Sequence, residues 1–239
     1  MMQYHLLTNL GEREQNEDYI GKIERDGRML FVLCDGLGGH GKGEVASKMV
    51  VESIIEYYQY ATEIPDISEC IEYAQQKLLE KQAEERMTMG MKTTLVLLEI
   101  DGYRARWAHV GDSRLYMFHH NKIVTRTLDH SVPQMLVAAG QLKDKDIRFH
   151  EDRNRLLRVM GIEWDKPLYV VSQWTAIEPK DAFLLCSDGF WEWIPEKKME
   201  KNIKKKSSIK NWLELMEYDI CNAGKGKDMD NYSAIGIVI

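Results

Sequence analysis

No apolar run in this sequence approaches the roughly 20 residues that a membrane-spanning helix needs. The opening residues, Met1-Met2-Gln3-Tyr4-His5, lack the basic and apolar regions of a secretion signal. Both absences point to the cytoplasm and away from a membrane. Cysteine is scarce: Cys34, Cys70, Cys186 and Cys221 form no C-x-x-C pair, which leaves a zinc knuckle without support. Cys34 and Cys186 sit inside apolar runs, where a reduced thiol behaves as a small hydrophobe. A basic excess is also missing, since the net charge is −6. The most cationic stretch, 197–206, holds six lysines and one glutamate, so the rest of the chain carries −11. Nucleic acid is therefore not an expected ligand. The lysine run reads first as a solvated helix face, with docking of an acidic partner as the alternative.

What the chain does contain is ordinary globular material. Hydrophobic residues make up 44% and charged residues 29% of 239 positions, enough for a full core. Against this background, aspartates recur at the ends of apolar runs. Asp35 follows Leu30-Phe31-Val32-Leu33-Cys34, and Asp188 follows Ala182-Phe183-Leu184-Leu185-Cys186-Ser187. Asp112 follows Trp107-Ala108-His109-Val110-Gly111, and Asp230 precedes Asn231 and the closing run 234–239. Asn16-Glu17-Asp18 adds a fifth place, just before a strand-like Tyr19-Ile20. A single Asp-Gly after a strand is usually a turn. Several carboxylates at strand ends, costly to desolvate and mutually repelling, instead call for a hard divalent cation.

Periodicity predicts strands over 3–9, 18–24 and 29–34, with Arg25-Asp26-Gly27-Arg28 as a hairpin turn. A glycine-rich loop, 37–43, leads into a helix from about Glu44, and a second helix is expected over 67–87. Strands are expected next at 93–100, 103–110 and 114–119, then at 168–173 and 181–186. Helices are expected at 191–206 and 208–221, and a closing strand ends the chain. Residues 131–165 begin with a short apolar helix, 132–139, and turn charged. They read as an inserted flap that buries little. Consecutive hairpins and paired helices suit an α+β layered domain with antiparallel sheets.

The motifs, taken in order, carry a resemblance. They are Arg13-x-x-Asn16-Glu17-Asp18, Asp35-Gly36-x-Gly38-Gly39-His40, Thr93-Thr94-Leu95-Val96 and His109-Val110-Gly111-Asp112-Ser113-Arg114, then Thr127-x-Asp129-His130-Ser131, Leu184-Leu185-Cys186-Ser187-Asp188-Gly189 and Asp230-Asn231. Over essentially the whole chain this series resembles the metal-dependent Ser/Thr protein phosphatases, the 2C or PPM type. Its size and Gly-Gly-His loop resemble the bacterial branch. The resemblance implies a four-layer α/β/β/α sandwich, two antiparallel β-sheets flanked by pairs of α-helices. It also implies one domain, 1–239, with a flap at about 132–165.

The resemblance further implies two Mn²⁺ or Mg²⁺ ions. Asp35 would bridge them and the Gly36 carbonyl would add an oxygen. Asp188 and Asp230 would ligate one ion, Asp18 the other, and Glu17 would act through water. A shared water would then attack phosphorus in line, with Arg13 clamping phosphate oxygens and Asn231 near the substrate. A third ion would find Asp112, Asp188 and Glu192. Expected partners are phosphoprotein substrates and a Ser/Thr kinase whose action is reversed, and the chain is expected to be a monomer. Three positions depart from the family, the plainest being Met91-Lys92-Thr93-Thr94, where a glycine often precedes the two threonines. Leu37 stands where eukaryotic members carry a histidine, which leaves His40 or His130, or more simply a metal-bound water or solvent, to protonate the leaving oxygen. Glu192 stands where aspartate is usual in the third site. A binding module without turnover and a hydrolase of small phosphate esters are the competing readings.

Overall fold

The computed structural model describes residues 2–38, 42–85 and 90–239. Two antiparallel sheets lie face to face. The first runs in the order β1 (Gln3–Asn9), β12 (Tyr232–Val238), β11 (Ala182–Cys186), β7 (Arg114–His119), β8 (Lys122–Arg126). The second runs β10 (Thr175–Ala176), β6 (Arg104–Val110), β5 (Leu95–Asp101), β3 (Arg28–Leu37), β2 (Asp18–Arg25). Two short strands join it, with β4 (Lys92–Thr93) on β3 and β9 (Val170–Val171) on β6.

Strand alternation explains the layering. In β3, Met29, Phe31 and Leu33 face the other sheet, while Leu30, Val32 and Cys34 face helices. In β11, Phe183 and Leu185 point between the sheets, and Ala182, Leu184 and Cys186 point outward to helices. Each central strand therefore serves two cores and reads as a continuous apolar run. Helices α1 (Lys42–Tyr60) and α2 (Ile67–Glu85) cover the second sheet through Val50, Ile54, Ile71 and Leu78. Helices α5 (Glu196–Lys205) and α6 (Ile209–Gly224) cover the first through Met199, Ile203, Trp212 and Met216. The result is the expected α/β/β/α order of layers.

Local chemistry accounts for the breaks. The β2–β3 hairpin turns at Asp26 and Gly27, whose φ values of 50° and 78° match the left-handed pair an Asp-Gly turn adopts. The expected helix over 191–206 is divided. A short α4 (Asp188–Trp191) ends before Pro195, which caps α5 because its ring disfavours helix in the residue ahead of it. The expected strand 168–173 is reduced to β9. The first helix of 131–165, α3 (Val132–Ala138), is capped by the Ser131 hydroxyl, which accepts the Gln134 N–H. The final residues of the helix expected over 67–87 lie outside the described residues, as does His40.

The stretch 131–165 is better anchored than its composition indicates. Ile147 enters the core under α5 and α6, and Met160 the core under α1 and α2. Arg148 is also buried. It donates to the Trp191 carbonyl at 2.9 Å and to both carboxylate oxygens of Glu196 at 2.7 and 2.8 Å. The expectation of little burial fails because two apolar residues and one paired arginine reach back to the sandwich.

Candidate active site

At one end of the sandwich the strands bring the acidic motifs together. Asp18 and Asp35 are direct partners across the β2–β3 ladder. Asp188 opens α4 directly after β11, and Asp230 immediately precedes the Asn231 that leads into β12. Asp35 is not in a turn, since β3 continues to Leu37 and carries the carboxylate out between the sheets. Two close backbone approaches hold the frame. A Cβ at Gly36 would lie 2.2 Å from the Gly43 carbonyl oxygen, and one at Gly189 would lie 2.1 Å from that of Asn231. Neither position accommodates a side chain.

A cavity of about 210 Å³ opens here, lined by Glu17, Asp35, Asp112, Asp188 and Asp230 with the Gly36–Gly38 backbone. Asn154 and Leu156 of the 131–165 stretch form part of its wall. The electrostatics of this cavity are unbalanced. Burial, then the charges of Asp188, Asp18 and Asp112, hold the Asp35 carboxyl well above its usual range. Burial and then Asp188 do the same to Asp112. Asp18 is pushed up to about 7, chiefly by burial and against the Ser187 hydroxyl, which stabilises its ionised form. Burial and then the charge of Asp230 raise the Asp188 carboxyl as well. One oxygen of Asp18, Oδ1, is buried without a hydrogen-bond partner. Among the described residues the carboxylates ring the cavity rather than converge as a closed set of ligands. Oxygen donors, mutual repulsion and an orphaned carboxylate oxygen together fit a hard divalent cation.

The sequence and the structure of known proteins agree with this geometry. Residues 8–224 match the protein phosphatase 2C family. The chain belongs to the protein phosphatase 2C family. The serine/threonine phosphatase stp of Listeria welshimeri is 34% identical over 87% of this chain and 85% of its own length. The protein phosphatase PhpP of Streptococcus pneumoniae is 31% identical over 81% of this chain and 80% of its own. Among solved structures, serine/threonine phosphatase Stp1 from Staphylococcus aureus superposes with a TM-score of 0.87 at 28% identity, over 100% of this chain and 95% of that one. Membership makes this chain a protein phosphatase, and the family is metal-dependent.

Several residues of this phosphatase take positions that the motifs do not reveal. Glu17 lines the cavity, while Asp18 is buried beside Asp35 and does not line it. Arg13 lies outside the cavity lining. Its Nε and Nη2 reach the two oxygens of Asp230 at 3.1 and 3.3 Å, and Nη1 reaches Asp228 at 3.3 Å. Asn231 lines the cavity, yet its side chain is engaged elsewhere. Its Oδ1 accepts the Glu17 N–H at 2.8 Å, and its Nδ2 donates to the carbonyls of Leu10 and Gln15 at 2.8 and 2.9 Å. Through these bonds Asn231 pins the loop that carries Arg13 and Glu17. Glu192 faces a neighbouring cavity and pairs with Arg153 at 3.0 Å. Burial and then Asp188 raise its carboxyl to about 7.

His130 is no free acid. Its Nδ1 accepts the Gly111 N–H at 3.2 Å, its ring stacks on His109 at 4.7 Å, and burial lowers it to about 3. Thr93 and Thr94, to which the sequence motifs assign no role, clamp Asp35. The Thr93 hydroxyl donates to the Asp35 carbonyl at 2.8 Å, and the Thr94 hydroxyl accepts the Asp35 N–H at 3.1 Å. The signal that finds such residues is strand alternation, because the two threonines extend the period of two backward from the first apolar residues of β5.

Proposed function

We propose that this chain is a metal-dependent protein serine/threonine phosphatase that hydrolyses phosphoserine and phosphothreonine with two divalent ions, Mn²⁺ or Mg²⁺. The observation that carries the reading is the ring of Asp35, Asp188, Asp230 and Glu17 around one cavity, with the unpartnered Asp18 Oδ1 beside it. Asp35, Asp188, Asp230, Asp18, Glu17 and the Gly36 carbonyl are the residues that would hold the ions. When bound, the ions supply an activated water and neutralise phosphate charge.

The protein's own contribution is placement. Thr93, Thr94 and the Gly36–Gly43 approach hold Asp35, and Asn231 holds the loop of Glu17 and Arg13. Arg13, anchored on Asp230 at the rim, presents a cation where a phosphate would enter. Leu156 and Asn154 form part of the cavity wall. A third ion at Asp112, Asp188 and Glu192 would have to compete with Arg153 for Glu192.

The substrates are phosphoproteins, and a Ser/Thr kinase acting on the same sites is the natural opponent. We further propose that the chain works as a monomer, as one domain over 1–239 with the 132–165 stretch as its flap, in the cytoplasm. Among the described residues no helix is long and apolar enough to cross a membrane. The test is phosphate release from a phosphothreonine peptide beside a nucleotide, with and without Mn²⁺. Metal-dependent release from the peptide supports the reading. Release from the nucleotide alone would make the chain a small-ester hydrolase, and no release from either would make it a binding module.

A further inference from the structure

Beside the carboxylates, the apolar stripes between the sheets end in two buried serines. Phe183 and Leu185 point between the sheets, so Ser187, two residues on, continues their stripe. Ile237 and Ile235 place Ser233 in the same way. Both serines are fully buried. The Ser187 hydroxyl donates to Asp18 Oδ2 at 2.8 Å and accepts the Ser233 N–H at 2.9 Å. The Ser233 hydroxyl donates to Thr8 Oγ1 at 2.9 Å, and Asn16 Nδ2 donates to the same Thr8 oxygen at 2.8 Å. Asn16 Oδ1 accepts the Asp18 N–H at 3.1 Å. The chain of bonds thus leaves Asp18 through its carboxylate and returns to its backbone, tying β11, β12 and β1 to the start of β2.

This relay satisfies one oxygen of Asp18 and leaves the other, buried Oδ1, without a partner. We propose that Ser187 is a positioning residue for Asp18. Its hydroxyl takes up Oδ2, locks the carboxylate in one rotamer and directs Oδ1 to the divalent cation; this rests on the metal-dependent reading above. A polar group behind a ligand orients it and raises affinity, and losing one typically weakens metal binding by about 10–100-fold. Ser233 supplies the backbone N–H that orients Ser187, and Thr8 and Asn16 keep Asp18 from withdrawing.

The test is titration calorimetry of Mn²⁺ into the EDTA-stripped full chain, for the unmodified protein, Ser187→Ala and Ser187→Cys. Thermal melts of the stripped proteins run alongside. Ser187→Ala should weaken one Mn²⁺ by roughly tenfold or more. Ser187→Cys, close in shape but a weak donor, should fall between. The Mn²⁺ concentration for half-maximal rate should rise in step, while KM for a phosphopeptide at saturating Mn²⁺ stays the same. A role in folding alone would lower the melt and leave the Mn²⁺ affinity of either variant unchanged, which overturns the inference. An unmodified chain that takes up no Mn²⁺ overturns both the metal-dependent reading and this inference. Normal uptake with unaltered variants overturns only the inference.

Discussion

Asp18 and Asp35 stand opposite each other across the β2–β3 ladder, two carboxylates in register at the mouth of a sandwich. Directly opposed like charges destabilise a strand pair, and burial adds to the penalty. Protonation, or a divalent cation, relieves that cost, which ties the stability of this end of the fold to pH and to metal.

Chelation should therefore silence the protein. After EDTA treatment and dialysis, phosphate release from a phosphothreonine peptide is expected to vanish, and Mn²⁺ or Mg²⁺ should restore it. Full activity in a chain shown by elemental analysis to hold no metal would exclude a two-ion mechanism.

Asp35→Asn and Asp188→Asn keep shape and remove charge. Each should lower kcat on the order of 10²-fold or more, because the ions generate the nucleophile. Steady-state kinetics at saturating Mn²⁺ decides the matter. If both variants keep more than about half the rate, these residues are structural.

Arg13 tests differently because it touches Asp230 as well as solvent. Arg13→Ala should lower kcat/KM on a phosphopeptide with metal content unchanged. If bound metal falls as well, the main duty of Arg13 is to hold Asp230.

The charge ring sets the pH dependence of the metal-free protein. Asp18 and Glu192 are raised to about 7, and Asp35 and Asp112 lie well above their usual range. The folded state therefore binds more protons than the unfolded chain, so the stability these groups contribute is full at low pH and is lost as pH rises through the folded values. His109 and His130 are lowered, so they oppose this only below about pH 6.5. Between about pH 6.5 and 8.5 the metal-free melting temperature should fall, and saturating Mn²⁺ should flatten the slope. A metal-free melt that rises over that range would contradict the burial of these acids.

The 131–165 stretch separates anchoring from access. Arg148→Ala removes the donor of the Trp191 carbonyl and the bidentate partner of Glu196, which keeps only the Tyr116 hydroxyl and Arg114, and should destabilise the fold by about 3 kcal/mol in urea unfolding. Phe149, beside it, is 79% exposed. Phe149→Ala should leave stability unchanged and lower rates on a phosphoprotein much more than on a small aryl phosphate. Equal losses on both substrates would remove any role for this stretch in admitting protein.

Much of the site was legible because strands advertise themselves. Apolar runs ending in Asp35 and Asp188 are long enough and β-branched or aromatic enough to mark central strands, and the residues just past such a strand emerge at the edge of the sheet. Motif order then named the family and the layers. Glycine at 36 and 189 was visible as a motif letter, while its reason, two backbones nearly touching, was not.

Pairing across long sequence separation decided the rest. Ser187 meets Asp18 across 169 positions, and Arg13 meets Asp230 across 217. Hydrogen bonds of this span depend on sheet register and on how two sheets stack, and no local period encodes either. The same holds for Asn231, whose amide looks free in sequence and is occupied by a loop more than 200 residues away. The chain by itself determined which residues emerge at strand ends and which side of each strand they face, since a period of two comes from backbone geometry alone. Only the tertiary structure decided which of them touch, because contact between strands distant in sequence is set by the packing of two sheets and four covering helices around shared cores.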